Sequence, residues 1–328
     1  MNKSLTCLMA TILLAFFTSC GENKSATASD GSVQTGSKKL LGITVMTLAN
    51  PFFVELADAA KAEAEKHGYE VVILSGDDAE KQAKQMKDFI SQKADAIIVA
   101  PKNTLAIGEP IKAANAAGIP VFTADTGCSD PGAKVVCNVM TDNFGGGKLA
   151  AEAMIKGLPN GGKVLILDFK KAQSCLLRVD GFKEVIKEYN EAHPDKKIEI
   201  VAELDGAASE EPSKKATEDQ LNATPDLKGI FAINDPSALG AVVALKKANK
   251  LQDVKIIGFD GQRIGKEAIL RGEIFADPIQ FPRQMGEISG QHIEDYFAGE
   301  EVPAVYMIPP KLYFQADALA DESLSNEK

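Results

Sequence analysis

Five polar residues of this 328-residue chain stand just beyond short apolar runs: Asn50 after LLGITVM, Asp125 after IPVFTA, Asn234 after GIFAI, Asp260 after VKIIGF and Gln280 after ADPI. Carboxylates and amides at such places can hydrogen-bond a small polar ligand, although each alone is also an ordinary helix cap or turn residue. All five fall at the same end of their runs, and that shared placement points to a site. Catalysis has less to stand on. Glycoside hydrolysis needs two carboxylates flanking one bond, and Asp125 and Asp260 fall on different halves of the chain, but nothing pairs them with a nucleophile or a metal. His67, His193 and His292 occupy polar helical contexts without a zinc-ligand spacing or a Ser or Cys partner. No catalytic residue, metal or cofactor is implied.

The elements that must position these residues follow from periodicity. The β-branched runs LLGITVM, YEVVILS, ADAIIVA, IPVFTA and KVVCNVM alternate with helix-period segments at 51–67, 79–92 and 104–117. Such alternation predicts βαβ units and a parallel sheet. A second series starts after the NFGGG stretch at 143–147: KVLILD, KIEIVAE, KGIFAIN, DVKIIGFD and GEIFADPIQ, with helices near 178–192, 213–223, 237–250 and 264–272. A last long helix at 282–298 precedes VPAVYMIPP and KLYFQAD. Two series of similar size predict an α/β fold of two doubly wound, Rossmann-like lobes, whose ligand site lies outside the carboxyl ends of the strands. In the first helix Asn50 is a candidate N-cap, Pro51 sits at the first helical position and Gly68 closes the end. Phe53, Leu56, Ala57, Ala60 and Ala64 form its sheet-facing stripe, so Phe53 rather than Phe52 is expected to pack in the core.

Residues 1–19 have the form of a lipoprotein signal peptide, with Lys3 as the positive start, an apolar stretch, and Thr18-Ser19 before Cys20 as the residue to be acylated. Residues 20–39 hold almost no large apolar side chain and are expected to form a flexible tether. The protein is thus expected to be exported and lipid-anchored to the cell-envelope membrane, on its periplasmic or extracytoplasmic face. A formal net charge of -10 argues against a nucleic-acid surface. Cys128 and Cys137 could close a small disulfide in an exported protein, a pairing the sequence leaves open.

The ordered set TLANPFFVEL, IIVAPKNTLAIGEPIKAANAAGIPVFTAD, TDNFGGGKLAAEAM, DGFKEVI, FAINDPSALGAVVALK, VKIIGFDG and Gln280-Phe281-Pro282 resembles the ribose-binding branch of the type I periplasmic sugar-binding proteins, over 40–317. The resemblance implies two lobes joined by a three-strand hinge that close over one small ligand. Crossings fall near Thr141, Gln280 and Pro309 to Pro310. The N-terminal lobe would comprise 40–141 plus 281–309 and the C-terminal lobe 142–280 plus 310–319, with a frayed polar tail at 320–328. Ligand contacts implied by the match are Asn50, Phe52, Phe53, Asp125, Arg178, Asn234, Asp260 and Gln280. These types suit a sugar, whose C–H faces an aromatic ring covers and whose hydroxyls meet carboxylates, amides and a guanidinium fork.

Departures from the pattern bear on which ligand is bound. Thr126 and Leu176 stand where the ribose binders carry arginines, Met46 replaces a hydroxyl residue, and a third aromatic expected near Asp205 is absent. A ligand with fewer hydroxyls, a methyl group or a larger body near Thr126 and Met46 would fit these changes, while Lys170, Lys171 and Gln173 are expected at the surface. The implied function is that of the substrate-binding component of a sugar ABC importer, a monomer that takes a monosaccharide or polyol and meets a permease and its ATPase. The alternatives are a receptor presenting its ligand to a chemotaxis or sensor-kinase partner and, less favoured, a carbohydrate-active enzyme. Related repressors begin with a DNA-binding helix-turn-helix, where this chain has the signal and tether.

Overall fold

The computed structural model describes residues 39–324; the expectations for the signal peptide and Cys20, and for the tether up to Lys38, lie outside the described residues. The chain runs β1 (Lys39–Val45), α1 (Pro51–Lys66), β2 (Tyr69–Ser75), α2 (Ala79–Ser91), β3 (Ala96–Val99), α3 (Gly108–Ala116), β4 (Val121–Ala124) and β5 (Asn138–Thr141). It continues through α4 (Asn143–Gly157), β6 (Gly162–Asp168), α5 (Gln173–Ala192), β7 (Ile198–Asp205), α6 (Glu210–Ala223), β8 (Leu227–Ala232), α7 (Asp235–Lys247), β9 (Lys255–Ile257), α8 (Arg263–Leu270) and β10 (Ala276–Ile279). The last elements are α9 (Pro282–Ala298), β11 (Val305–Ile308), β12 (Lys311–Phe314) and α10 (Gln315–Ala320), with a short 3-10 turn at Glu322–Leu324.

Among the described residues two six-stranded sheets form, in the orders β2-β1-β3-β4-β5-β11 and β7-β6-β8-β9-β10-β12. Pairing is parallel except between β10 and β12. Leu41, Ile43 and Val45 of β1 and all four residues of β3 are fully buried, as parallel strands covered by helices on both faces must be. In each sheet the order reverses beside the first strand of its series, between β1 and β3 and again between β6 and β8. Chain direction there leaves a crevice at the strand ends. The chain passes between sheets three times: from β5 to α4, from β10 to α9 and from β11 to β12.

Local signals place the residues that matter. Asn50 caps α1, its Oδ1 accepting the Phe52 N–H at 3.0 Å, with Pro51 at the first position. Asn234 caps α7 likewise, accepting the Ser237 N–H at 3.0 Å. Helices α4 and α5 approach through glycine. A side-chain carbon at Gly147 would stand 2.0 Å from the Arg178 carbonyl oxygen, and one at Gly181 2.1 Å from that of Phe144.

Three expectations change. Helix α5 begins at Gln173, not near Arg178, so Arg178 lies in its second turn and is buried; Ala172 offers no side chain that would have signalled the start. Cys128, Cys137 and Cys175 are free thiols, so the Cys128 to Cys137 disulfide is not formed. The tail is not frayed as far as it is described: Asp321 accepts from Tyr313 Oη at 2.9 Å and pairs with Lys266 at 3.1 Å. No helix among the described residues is long and apolar enough to cross a membrane.

Candidate functional site

Two of the five strand-end residues, Asp260 and Gln280, join one hydrogen-bonded circuit at the junction of the lobes. Thr141 Oγ1 donates to Gln280 Oε1 at 2.6 Å, and Gln280 Nε2 donates to Asp260 Oδ1 at 2.6 Å. Arg178 Nη1 reaches the same Asp260 oxygen at 3.2 Å, Arg178 Nε donates to Asn143 Oδ1 at 2.8 Å, and Asn143 Nδ2 returns to the Thr141 carbonyl at 2.9 Å. The Thr141 hydroxyl thereby fixes which end of the Gln280 amide faces Asp260. Arg178 Nη1 also donates to the Ile233 carbonyl at 2.7 Å, and the guanidinium lies 3.9 Å from the centre of the Phe259 ring. Two crossings between the lobes thus share one polar circuit with the two buried charges.

Arg178 and Asp260 are each about 3% exposed. Burial pushes the Asp260 carboxyl up to about 6, while Arg178 and the Gln280 amide pull the other way, with the Asn50 amide of the opposite lobe adding to that pull. Asp125 is pushed further, to about 7, by burial, against the pull of Arg178 and with Asp260 adding repulsion. Among the described residues no hydrogen bond reaches the Asp125 carboxyl, and none leaves Arg178 Nη2. Asp125 and Asp260 both hold positive φ, 66° and 106°, a conformation that side-chain-bearing residues keep only where the surroundings enforce it.

A cavity of about 430 Å³ opens between the lobes and approaches the circuit at Asn50, which interacts with Asp260; Asp125, Arg178, Asp260 and Gln280 are not among its lining residues. Met46, Asn50, Phe53 and Lys102 line it from the first lobe, and Ala208 and Asn234 from the second. Both aromatics pack in the core, Phe53 as expected at 5% exposure and Phe52 at 2%, their rings meeting edge to face at 5.1 Å, and Phe53 also forms cavity wall. The absence of an aromatic near Asp205 also takes concrete form: Ala208 and Ser209 stand on the second-lobe wall. Of the positions that depart from the ribose-binder pattern, Leu176 is exposed, at 36%, whereas Thr126 is fully buried with its Oγ1 accepting the Ser174 N–H at 3.2 Å. Asn143, Phe259 and Lys102 escaped the sequence reading. Only Asn143 carried a signal, as the first residue past a crossing.

Behind Asp260 lies a second carboxyl pair. Asp235, at the start of α7, and Asp277, in β10, are fully buried. Their side chains interact, and Asp235 Oδ2 also accepts the Gln262 N–H at 2.6 Å. Burial and mutual repulsion hold Asp235 well above the usual carboxylate range, and Asp277 is pushed up to about 6 by burial. The folded pair keeps a proton that an unfolded chain releases above pH about 4, so stability falls as pH rises through that window. Asp277→Asn should therefore raise the melting temperature at pH 8 and flatten its decline between pH 5 and 8. An unchanged slope in thermal unfolding across that range would show that the pair holds no proton.

Two doubly wound lobes, three crossings and polar groups gathered from both sides of a cleft define a two-lobed binding protein. Residues 41–301 match the family described as periplasmic binding protein domain, and the chain belongs to that family. It is 31% identical over 319 residues to the ribose import binding protein of Bacillus subtilis (strain 168), covering 96% of this chain and 100% of that one. It is 33% identical over 290 residues to the ribose import binding protein of Escherichia coli (strain K12), with 88% and 94% covered. Among solved structures, an ABC transporter periplasmic solute-binding protein from Actinobacillus succinogenes with bound D-allose aligns with a TM-score of 0.78 at 27% identity, covering 87% of this chain and 100% of that one.

Proposed function

We propose that the protein is the substrate-binding component of a sugar ABC importer, capturing a monosaccharide or polyol between its lobes and handing it to a permease and its ATPase. The observation that carries this is a buried carboxyl, Asp125, to which no hydrogen bond runs among the described residues, set with a guanidinium edge, Arg178 Nη2, that is likewise uncommitted there, while a cavity walled by Phe53 and Asn50 opens between the same two lobes. Hydroxyls both donate and accept, so a sugar rim can serve both groups while its C–H face covers the ring. Asn50, Asn234, Asp260 and Gln280 add polar contacts, with Met46 and Ala208 shaping the remaining wall. The relatives import ribose and a structural neighbour holds D-allose, which supports a sugar over other small polar ligands. In this reading the protein binds without converting its ligand, acts as a monomer, and is tethered through acylated Cys20.

Thermal unfolding of the protein against a panel of pentoses, hexoses, deoxy-sugars and polyols tests the reading. A ligand at 100 times its dissociation constant should stabilise by about 2.7 kcal/mol. Silence across the whole panel would leave the family standing and remove the sugar.

A pH dependence follows from Asp125. Hydroxyl donors favour its ionised form, and that form is scarce below its folded value of about 7. Affinity should therefore rise about tenfold between pH 6 and pH 8, and Asp125→Asn should abolish the rise. A dissociation constant that stays flat in calorimetric titrations at both pH values would take Asp125 out of the contact set.

A further inference from the structure

The lobes also meet away from the polar circuit, along the second-lobe segment 169–174, which joins β6 to the first turn of α5. Four contacts tie this segment to the loops that follow β3 and β4 in the first lobe. Thr104 N–H donates to the Lys171 carbonyl at 3.0 Å. Ser174 N–H donates to Thr126 Oγ1 at 3.2 Å, with both residues buried. Lys102 Nζ stands 5.2 Å from the centre of the Phe169 ring, and Gln173 Oε1 packs against Gly127, 2.9 Å from where a side-chain carbon there would lie.

The first-lobe side of this contact is braced into one rim. Thr104 Oγ1 donates to the Gly127 carbonyl at 2.5 Å, the Ser129 N–H donates to the Thr104 carbonyl at 2.9 Å, and Gln82 Oε1 accepts the Lys102 N–H at 2.9 Å. The second-lobe side has a matching need. The first amide groups of a helix have no partner within it, and the N-cap residue of α5, Ala172, makes no side-chain cap. Thr126 supplies that acceptor from the other lobe. Opening the cleft therefore uncaps α5 and takes a cation off an aromatic face.

We propose that segment 169–174 is a latch, in which Thr126 caps α5 across the cleft and Lys102 rests on Phe169, so that the closed form is held by contacts in which no ligand takes part. Thr126 is then a positioning residue. It sets how firmly any ligand is retained, because apparent affinity scales with the population of the binding-competent form, and it leaves the choice among ligands to the circuit and to the cavity wall, of which Lys102 is also a part.

The test uses Thr126→Val, which keeps the shape and removes the acceptor, Lys102→Met, which keeps the stem and removes the charge, and Thr126→Ser as the conservative rescue. Spin labels on exposed Lys87→Cys in α2 and Lys187→Cys in α5, in a Cys128→Ser background, report the distance between lobes without ligand by pulsed dipolar spectroscopy. The parent should show a closed population, Thr126→Val should reduce its ratio to the open form about fivefold, and Thr126→Ser should restore it. Identical distance distributions in the parent and both disruptive variants, or a parent without a closed population, would overturn the latch.

The second arm rests on the sugar reading: two sugars that bind the parent are titrated into each variant. In Thr126→Val both dissociation constants should rise by the same factor, and unequal factors would mean that Thr126 touches the ligand. If no sugar binds the parent, the sugar reading fails while the distance measurement still decides the latch.

Discussion

Arg178→Met will lower the unfolding free energy by about 3 to 5 kcal/mol, because removing one partner of a buried ion pair strands the other in a dry site. The guanidinium makes hydrogen bonds to Asn143, Ile233 and Asp260 and lies on Phe259; methionine replaces the stem and none of these. The loss should depend on pH in a known direction. With Arg178 present the Asp260 carboxyl already sits at about 6, and without it the value must climb further, so at pH 6 the carboxyl protonates and escapes part of the penalty. At pH 8 it does not. Urea unfolding at the two pH values should give the larger loss at pH 8, together with the disappearance of ligand binding. A loss under about 1 kcal/mol at both would mean that the guanidinium is not the counter-charge the packing implies.

Gly147→Ala is the second large effect, and its sign is not obvious from the sequence. Alanine in mid-helix gains about 1 kcal/mol of intrinsic helix preference over glycine. Here the added carbon would stand 2.0 Å from the Arg178 carbonyl oxygen, and a backbone atom cannot rotate away as a side-chain tip can. Overpacking of this kind costs about 1 to 3 kcal/mol or more. Helices α4 and α5 would part, carrying Asn143 and Arg178 with them, so both stability and affinity should fall. Gly157→Ala on the same helix meets only side-chain atoms, the edge of Phe275 at 3.3 Å and the Lys255 stem at 3.4 Å, and serves as the control expected to stay near neutral. A stable, tightly binding Gly147→Ala variant would show that the two helices can slide apart without disturbing the circuit.

What the sequence revealed and what it hid divide along physical lines. Alternating runs and helix caps are local, so the order of elements and the placement of Asn50, Asp125, Asn234, Asp260 and Gln280 at strand ends could be read directly. The burial of Phe52 alongside Phe53 could not. Both lie in the first helical turn, where side chains lean back over the preceding strand end and the facing stripe is not yet established. Thr126 drew attention because it stands where the ribose binders carry an arginine; that its hydroxyl accepts from Ser174, 48 residues on, is a contact no local pattern announces. Asp235 and Asp277 are likewise far apart in the chain, and Asp277 sits in an otherwise apolar strand where only three-dimensional packing shows a carboxyl facing another.

The capping duty of Asn50 and Asn234 bears on how such a protein can acquire a new ligand. Each amide spends its carbonyl on its own helix, so a substitution that alters recognition there also frays the helix that carries it. Drift is cheap only at wall positions with no side-chain hydrogen bond to lose, of which Met46 and Ala208 are two. Changes of diet in this lineage should therefore be written in small and apolar residues, around an amide pair that stays fixed.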